Sequence, residues 1–466
     1  MLTRLRVKGF KNLVDTEVRF GPFTCVAGSN GAGKSNLFDV IAFINDLASH
    51  SIVEAASRVR SHEGGSTASL SSLFARKGGE SWRDIELEVD FFVPKKVLDD
   101  FDREAVPSTT YLTYKVALRY VPGKGGSERI ELLEEELTYI LKSDSLKRIG
   151  FKVDKLFLNS VLGGDKRSDF ISTERNDGRA VVLLRQDQVK GAPSRIPAST
   201  SPRTVLSTVN TDDRPTALAA RREMQSWAQL QLEPSKLRAP DGFSSDDRLG
   251  SDGEHLPATL LRLGDFDKVS NLLARLLPDV DSLRVDVDEA RRSKTIYLTQ
   301  RGGAEHAARS LSDGTLRFLA LAVLSCDPMA GGVICMEEPE NGIHPARIPA
   351  IVELLKSMCV DVGAPIGDDN PMRQIIINTH SPVVIKNLSI DDLVIATPVR
   401  LGRASITTFA SIKGTWRSSV NHAGLIAPPV TRATLIDYLE DRALEPTYYS
   451  GITSSVMDWA QHDLAF

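Results

Sequence analysis

The stretch Gly28-Ser29-Asn30-Gly31-Ala32-Gly33-Lys34-Ser35 constrains this chain more than any other. It fits GxxxxGK[ST] at every fixed position. It also lies between a short apolar run, Phe23 to Ala27, and a segment with helical apolar spacing from Asn36 to Leu47 (Leu37, Val40, Ile41, Ile44, Leu47). A strand, a glycine loop and a helix in that order let successive backbone N–H groups curl round a phosphate, with the positive helix N-terminus behind them. Lys34 has the reach for β- and γ-phosphates, and the Ser35 hydroxyl suits Mg²⁺. Ser29, Asn30, Gly31, Ala32, Gly33 and Asn36 complete the expected nucleotide contacts, which makes ATP with Mg²⁺ the expected ligand.

The remaining chemistry stands far downstream. Val333-Ile334-Cys335-Met336-Glu337-Glu338 reads as a buried strand delivering two carboxylates at its C-terminal end, where open α/β sheets bind ligands. One carboxylate suits Mg²⁺, directly or through water, and the other suits orienting or deprotonating an attacking water. Leu311-Ser312-Asp313-Gly314-Thr315-Leu316-Arg317 opens a helix, and Ser312 with Gly314 caps it and presents N–H groups to an anion. By itself that is only a helix cap. Thr379-His380-Ser381-Pro382 follows another apolar strand, which puts His380 where a phosphate contact is expected.

At 466 residues the chain exceeds one ordinary core, yet its motifs forbid a simple cut into successive domains. One core must draw on both ends. We therefore expect residues 1–141 as the N-terminal half of a head, with an antiparallel subdomain in the alternating stretch from Ile85 to Tyr139. Residues 142–255 are expected as an inserted helical and loop lobe. Within it Gly191 to Thr216, rich in Ser, Thr and Pro, reads as a mobile loop or lid, and Ala217 to Leu232 as an amphipathic helix. Residues 256–400, where helices alternate with strongly apolar strands, form the C-terminal half, with a parallel sheet buried on both faces. Residues 401–466 are a C-terminal extension. The fold class is thus α/β: a mixed parallel core sheet, an antiparallel β subdomain and an inserted lobe.

Composition mainly excludes. Apolar residues make up 41% and charged ones 25%, unlike a collagen-like or disordered chain. No run approaches the roughly 18 apolar residues of a membrane helix, and MLTRLRVKGFKN lacks an apolar h-region, so we expect no membrane, no signal peptide and a cytoplasmic location. Cys25, Cys326, Cys335 and Cys359 have no CxxC or Cys/His spacing and read as reduced thiols. The net charge of -4 excludes a globally basic surface, which leaves Arg4, Arg6, Lys8, Lys11 and Arg19, against Asp15 and Glu17, as a local strip for DNA.

Taken as an ordered set, GSNGAGKS, LSDGTLR, ICMEEPENGIHP and INTHSP resemble the ABC-type ATPases, in the RecF/SMC-like soluble branch. More closely, with LRVKGFKNL and SDGEHLPATLLRL, the chain resembles the stand-alone AAA_21-type ATPases common in bacterial antiphage and toxin-linked operons, over roughly residues 1–95 and 250–400. The resemblance implies Lys34 and Ser35 as the Walker A lysine and magnesium-binding serine, Glu337 at the Walker B position and Glu338 as the catalytic glutamate. It implies Ser312, Asp313 and Gly314 as the signature loop, which in this class touches the γ-phosphate held by the opposite subunit. His380 matches the switch histidine, and Asn341 to His344 match the D-loop. The chain departs from the pattern in having Glu337 rather than Asp, Asp313 rather than Gly, and no glutamine before Gln186 to serve as Q-loop ligand; Arg76 or Ser81 are the substitutes at hand.

The implied function is an ATP hydrolase that pairs head-to-tail on ATP as a homodimer or higher homo-oligomer and drives a separately encoded effector, a nuclease or toxin, in antiphage defence. The OLD-type nucleases carry a Toprim domain with a glutamate and a DxD pair, and residues 398–466 contain no DxD. A RecF-like DNA-repair ATPase is the alternative, and an ATP-switched scaffold a third reading.

Overall fold

The computed structural model describes residues 1–59, 69–77, 80–123, 128–164, 169–187, 191–401, 404–419, 429–431 and 434–435. Much of the expected C-terminal extension therefore lies outside the described residues. The chain divides into two compact units. The first takes Met1–Trp227, Asp361–Asn370 and the described part of Ser389–Phe466; the second takes Ala228–Val360 and Pro371–Leu388.

The first unit contains an eight-stranded antiparallel sheet. From one edge its strands run Leu13–Arg19, Leu2–Phe10, Asp84–Phe92, Tyr111–Val121, Arg129–Tyr139, Ile171–Asn176, Arg179–Leu184 and Ser194–Pro197. The alternating pattern between Ile85 and Tyr139 forms strands as expected, because period-two hydrophobicity gives a sheet one apolar face. Leu5, Val7, Leu87, Val89, Val116 and Leu118 are buried.

The basic strip is taken up by this sheet. Arg6 faces Glu17 and Glu88 across the two neighbouring strands, and Lys8 faces Asp15 and Glu86. Arg4 is buried and bonds Glu17 at 2.9 Å and Glu88 at 2.5 Å; Arg19 bonds Glu17 at 3.1 Å. Lys8 pairs Glu86 at 3.0 Å, Arg6 reaches Asp15 at 3.5 Å and Lys11 pairs Asp39 at 2.7 Å. These cations are therefore paired with carboxylates of their own hairpin and of adjoining elements. Counting charges along the sequence could not reveal this, since the strand contributing Glu86 and Glu88 comes some eighty residues later, as the 84-residue separation of Arg4 and Glu88 shows.

The stretch 142–255 contains helices Lys142–Ile149 and Lys155–Val161, as an inserted lobe would, but its strands Ile171–Asn176, Arg179–Leu184 and Ser194–Pro197 extend the antiparallel sheet, and the unit boundary falls at Trp227. Where a mobile loop or lid was expected from Gly191 to Thr216, Ser194–Pro197 pairs with Arg179–Leu184, and Leu206–Thr208 makes a turn of 3₁₀ helix. Glu135 anchors the second of these. Its buried carboxylate accepts the Val205 N–H at 2.5 Å, the Leu206 N–H at 2.8 Å and the Tyr114 hydroxyl at 3.1 Å, which seats Val205 and Leu206 in the core. The expected helix from Ala217 to Leu232 ends earlier, as Pro215–Gln225; Trp227 is buried against Phe91 with ring centroids 6.0 Å apart, and Ala228–Leu230 is a strand.

The first unit also joins the two ends of the chain. Strand Phe23–Ala27 pairs in parallel with Leu393–Leu401, Cys25 opposite Leu393, and Leu393–Leu401 pairs antiparallel with Ala404–Ser411. Helix Lys34–Leu47 follows the first of these and buries Leu37, Phe38, Val40, Ile41, Phe43, Ile44 and Leu47. In the second unit three parallel strands lie side by side: Ala228–Leu230, Gly332–Glu337 and Arg373–Thr379. Helix Asp313–Cys326 buries Leu316, Leu319 and Val323. Buried Arg373, at the start of the third strand, donates to the Ser325 and Asp327 carbonyls at the end of that helix, at 3.3 and 2.7 Å. Among the described residues no helix is long and apolar enough to cross a membrane, and the four cysteines are not joined in disulfides.

Burial pushes the Glu135 carboxyl up from 4.5 to about 7, although its three donors pull it down. Because the folded value exceeds the unfolded one, protonation favours the fold, and this contribution is lost as pH rises through about 4.5 to 7 and is level above. Unfolding midpoints of Glu135→Gln measured across that window are therefore expected to show a shallower fall with pH than those of the wild type.

Candidate functional site

The phosphate-type loop is shaped by two glycines in the left-handed region, Gly31 at φ +78° and Gly33 at φ +87°. At Gly33, and at Gly28 before it, space forbids a side chain as well. A Cβ on Gly33 would lie 2.0 Å from the Thr407 hydroxyl oxygen, and one on Gly28 would lie 2.8 Å from the Ala396 carbonyl oxygen. Both obstacles belong to the strand pair 393–411, which backs the loop from behind. Thr407 is the brace: its hydroxyl donates to the Ala32 carbonyl at 2.9 Å and accepts from the Asn12 amide at 2.7 Å. Asn12 in turn accepts from the Asn36 side chain at 2.7 Å, so the loop and the first turn of its helix are pinned together.

Ser29, Asn30 and Gly31 are exposed at the tip, whereas Ala32 and Lys34 are buried and Gly33, Ser35 and Asn36 are half-buried. Lys34 folds across the loop, its ammonium donating to the Gly28 and Ser29 carbonyls at 2.6 and 2.9 Å. Helix Lys34–Leu47 begins at Gly33 with no side-chain cap, the state in which a helix N-terminus receives an anion. The sequence reading placed all of these residues correctly on a strand–loop–helix, but it did not find Asn12 or Thr407. No local pattern marks them, since Thr407 acts on Ala32 from 375 residues away.

In the second unit strand Gly332–Glu337 delivers both carboxylates. Glu338 has φ 44°, a left-handed conformation that costs a non-glycine residue roughly 1–2 kcal/mol. Its N–H is held by buried Asn378, by the carbonyl at 3.0 Å and the side-chain oxygen at 3.1 Å. The turn aims the Glu338 carboxylate at His380 Nδ1, 2.6 Å from Oε1, while the Asn341 amide donates to Oε2 at 2.8 Å. Glu337, Glu338, Asn341 and His380 are thus brought to one strand-end cluster. Glu337 receives the Gln229 amide on Oε1 at 2.9 Å. Glu340, buried beneath, bonds Thr379, and burial pushes its carboxyl above the usual range. Its other oxygen and the Arg317 Nε are buried without hydrogen-bond partners among the described residues.

The signature residues lie at the head of helix Asp313–Cys326. Ser312 caps it, its hydroxyl accepting the Thr315 N–H at 3.2 Å. Asp313 is held by Arg238, which also donates to the Leu311 carbonyl at 3.0 Å. A Cβ on Gly314 would sit 3.4 Å from the Gly342 carbonyl, so the signature turn packs closely on the segment following Glu338. Aspartate at position 313 therefore has a local partner. Gln229, Arg238, Arg317 and Asn378 were not found from the sequence, because their roles depend on strand pairing and burial.

Among the described residues no three His, Cys, Asp or Glu side chains cluster so as to hold a metal ion. Mg²⁺ does not require such a cage, since it commonly keeps waters and phosphate oxygens and takes one or two protein oxygens. The Ser35 hydroxyl and the Glu337 carboxylate are hard oxygen donors of the right kind.

A family model described as "AAA domain, putative AbiEii toxin, Type IV TA system" (AAA_21) matches residues 23–386. No curated protein matches the chain. Among solved structures, a crystal structure of an SMC head bound to the C-terminal winged-helix domain of ScpA is similar at 15% identity and TM-score 0.45, with 88% of this chain and 98% of that one covered. The SMC head domain from Thermotoga maritima is similar at 12% identity and TM-score 0.39, with 88% and 99% covered. The SMC head with extended coiled coil bound to the C-terminal domain of ScpA, from Pyrococcus furiosus, is similar at 13% identity and TM-score 0.42, with 88% and 96% covered.

Because Thr407 braces the loop, Thr407→Val should weaken ATP binding by roughly 5- to 30-fold, the loss of one or two hydrogen bonds at about 1 kcal/mol each. Titration with a fluorescent ATP analogue measures this. Gly33→Ala should abolish binding, because the added carbon has no space and the dihedral disfavours it.

Proposed function

We propose, from the premise that this chain belongs to the AAA_21 family and is an ATPase of that type, that it hydrolyses ATP with Glu338 as the group that orients and deprotonates the attacking water. The observation that carries this reading is the Glu338 cluster. A carboxylate held at φ 44° at the end of a parallel strand, bonded to His380 on one oxygen and Asn341 on the other, is preorganised at a cost in backbone strain that a purely structural strand end would not need. Phosphates are the business of the Gly28–Ser35 loop, with Lys34 exchanging its bonds to the Gly28 and Ser29 carbonyls for β- and γ-phosphate oxygens.

Mg²⁺ bound with the nucleotide would take the Ser35 hydroxyl and would neutralise charge building on the phosphates, and the Glu337 carboxylate is the second unit's oxygen donor of the same kind. His380 senses the γ-phosphate through its contact with Glu338, and Ser312, Asp313 and Gly314 present the N-terminus of helix Asp313–Cys326 to the nucleotide of a second copy. The active unit is then a head-to-tail homodimer, or a larger homo-oligomer, whose ATP cycle controls a separately encoded toxin or nuclease in the cytoplasm. The family description names a putative toxin and a type IV toxin–antitoxin system, which supports a toxin-linked setting; the separate effector and the antiphage role rest on the motif resemblance. A RecF-like role on DNA finds no support in the basic strip, whose cations are engaged with carboxylates within the sheet.

Steady-state ATP hydrolysis tests the reading. Glu338→Gln should lose about 10²- to 10⁴-fold in turnover while still binding ATP and accumulating ATP-dependent dimers. Lys34→Ala should lose ATP binding itself. Wild-type hydrolysis no faster than that of Glu338→Gln would overturn the assignment.

A further inference from the structure

We propose that Gln229 is a positioning residue for the metal: its amide fixes the long Glu337 side chain so that a glutamate can stand at a position built for aspartate. This rests on the hydrolytic reading above and deepens it.

The geometry comes from the parallel ladder. Ala228–Leu230 pairs beside Gly332–Glu337 with Gln229 opposite Cys335. Residues opposite each other in a ladder share a face, and Cys335 and Glu337, two apart, share that face as well. Gln229 therefore runs forward along the strand toward Glu337 and donates to Oε1 at 2.9 Å. Cys335 beneath them is wholly buried, so the pair closes the rim of an apolar surface.

The chemistry explains why the residue is glutamine. A glutamate has one more methylene and one more rotor than aspartate, and left alone its carboxylate would be spread over several positions. A hydrogen-bond donor on one oxygen removes that freedom. An arginine or lysine would do so too, but its charge would compete with a divalent cation for the carboxylate. The neutral amide orients the group and leaves its charge available to Mg²⁺ or a Mg²⁺-bound water. No pattern in the sequence announces this, because Gln229 and Glu337 are 108 residues apart.

The test uses the full chain and two readouts. In the first, Mn²⁺ binding is titrated by electron paramagnetic resonance with a non-hydrolysable ATP analogue present. In the second, the Mg²⁺ concentration for half-maximal hydrolysis is measured. Gln229→Ala should weaken both by about tenfold, the usual scale for removing a group that orients a metal ligand. Binding of the analogue in EDTA should stay unchanged. In a Glu337→Asp background, whose carboxylate is too short to meet the amide, Gln229→Ala should add less than about twofold. Unaltered metal affinity in Gln229→Ala, or full additivity with Glu337→Asp, overturns the proposal. If wild-type turnover depends on Glu338 while Gln229→Ala leaves metal affinity unmoved, only this inference fails. If wild type shows no Glu338-dependent turnover, the hydrolytic reading fails and takes this one with it.

Discussion

The close approach of the 393–411 strand pair to the Gly28–Ser35 loop is the constraint on which the first unit depends. Phe23–Ala27 lies parallel to Leu393–Leu401, and that pairing brings the Ala396 carbonyl and the Thr407 hydroxyl so near the loop that positions 28 and 33 have no room for a Cβ. The loop's curvature is thus set from outside as well as by its own glycines. The same contact tethers the helix Lys34–Leu47 through Asn12 and Asn36, so the backbone N–H groups and the helix N-terminus keep a fixed mutual geometry. A loop that must cradle an anion gains from such rigidity, because no ordering remains to be done when the ligand arrives.

The second unit solves a related problem by different means. Its carboxylates stand at the end of a parallel strand and are placed by neighbours on either side: Gln229 from Ala228–Leu230, and Asn378 and His380 from Arg373–Thr379 and the residue after it. Strain at Glu338 is maintained by the two acceptors that Asn378 offers its N–H. Arg373, at the far end of the same strand, holds the C-terminal carbonyls of the helix that begins at Ser312. The turn at Ser312 and His380 are therefore mounted on elements tied to each other, and a displacement of one would be felt by the other.

Much of this was legible beforehand. The phosphate loop, the acid pair, the capped signature helix and the apolar strands of the last third all rest on local patterns of glycine, charge and hydrophobic period, and each occupies the element expected of it. The failures share a cause. The Gly191 to Thr216 stretch read as a loop because its apolar residues are few and aperiodic, yet the ladder at Ser194–Pro197 and the buried Glu135 carboxylate at Val205 and Leu206 hold it. The strip from Arg4 to Arg19 was weighed against Asp15 and Glu17 alone, because Glu86 and Glu88 come from a strand much later in the chain. The helix expected to run to Leu232 stops before Trp227, since burial of that ring and the ladder of Ala228–Leu230 outweigh helical spacing.

By itself the sequence determined which motifs the chain carries and their order: a GxxxxGK[ST] loop near its start, an acid pair after a buried strand far downstream, and an ABC-type, AAA_21 ordering of the rest. Those are local facts, decided by dihedral freedom, side-chain reach and periodicity within a few residues. Only the tertiary structure decided which residues hold that chemistry in place. Thr407 behind the loop, Gln229 beside Glu337 and Asn378 beneath Glu338 are ordinary polar residues until strand pairing brings them within hydrogen-bond distance. Hydrogen bonds act over about 3 Å whatever the separation along the chain, so a role that rests on one long-range bond leaves no periodic trace in the sequence.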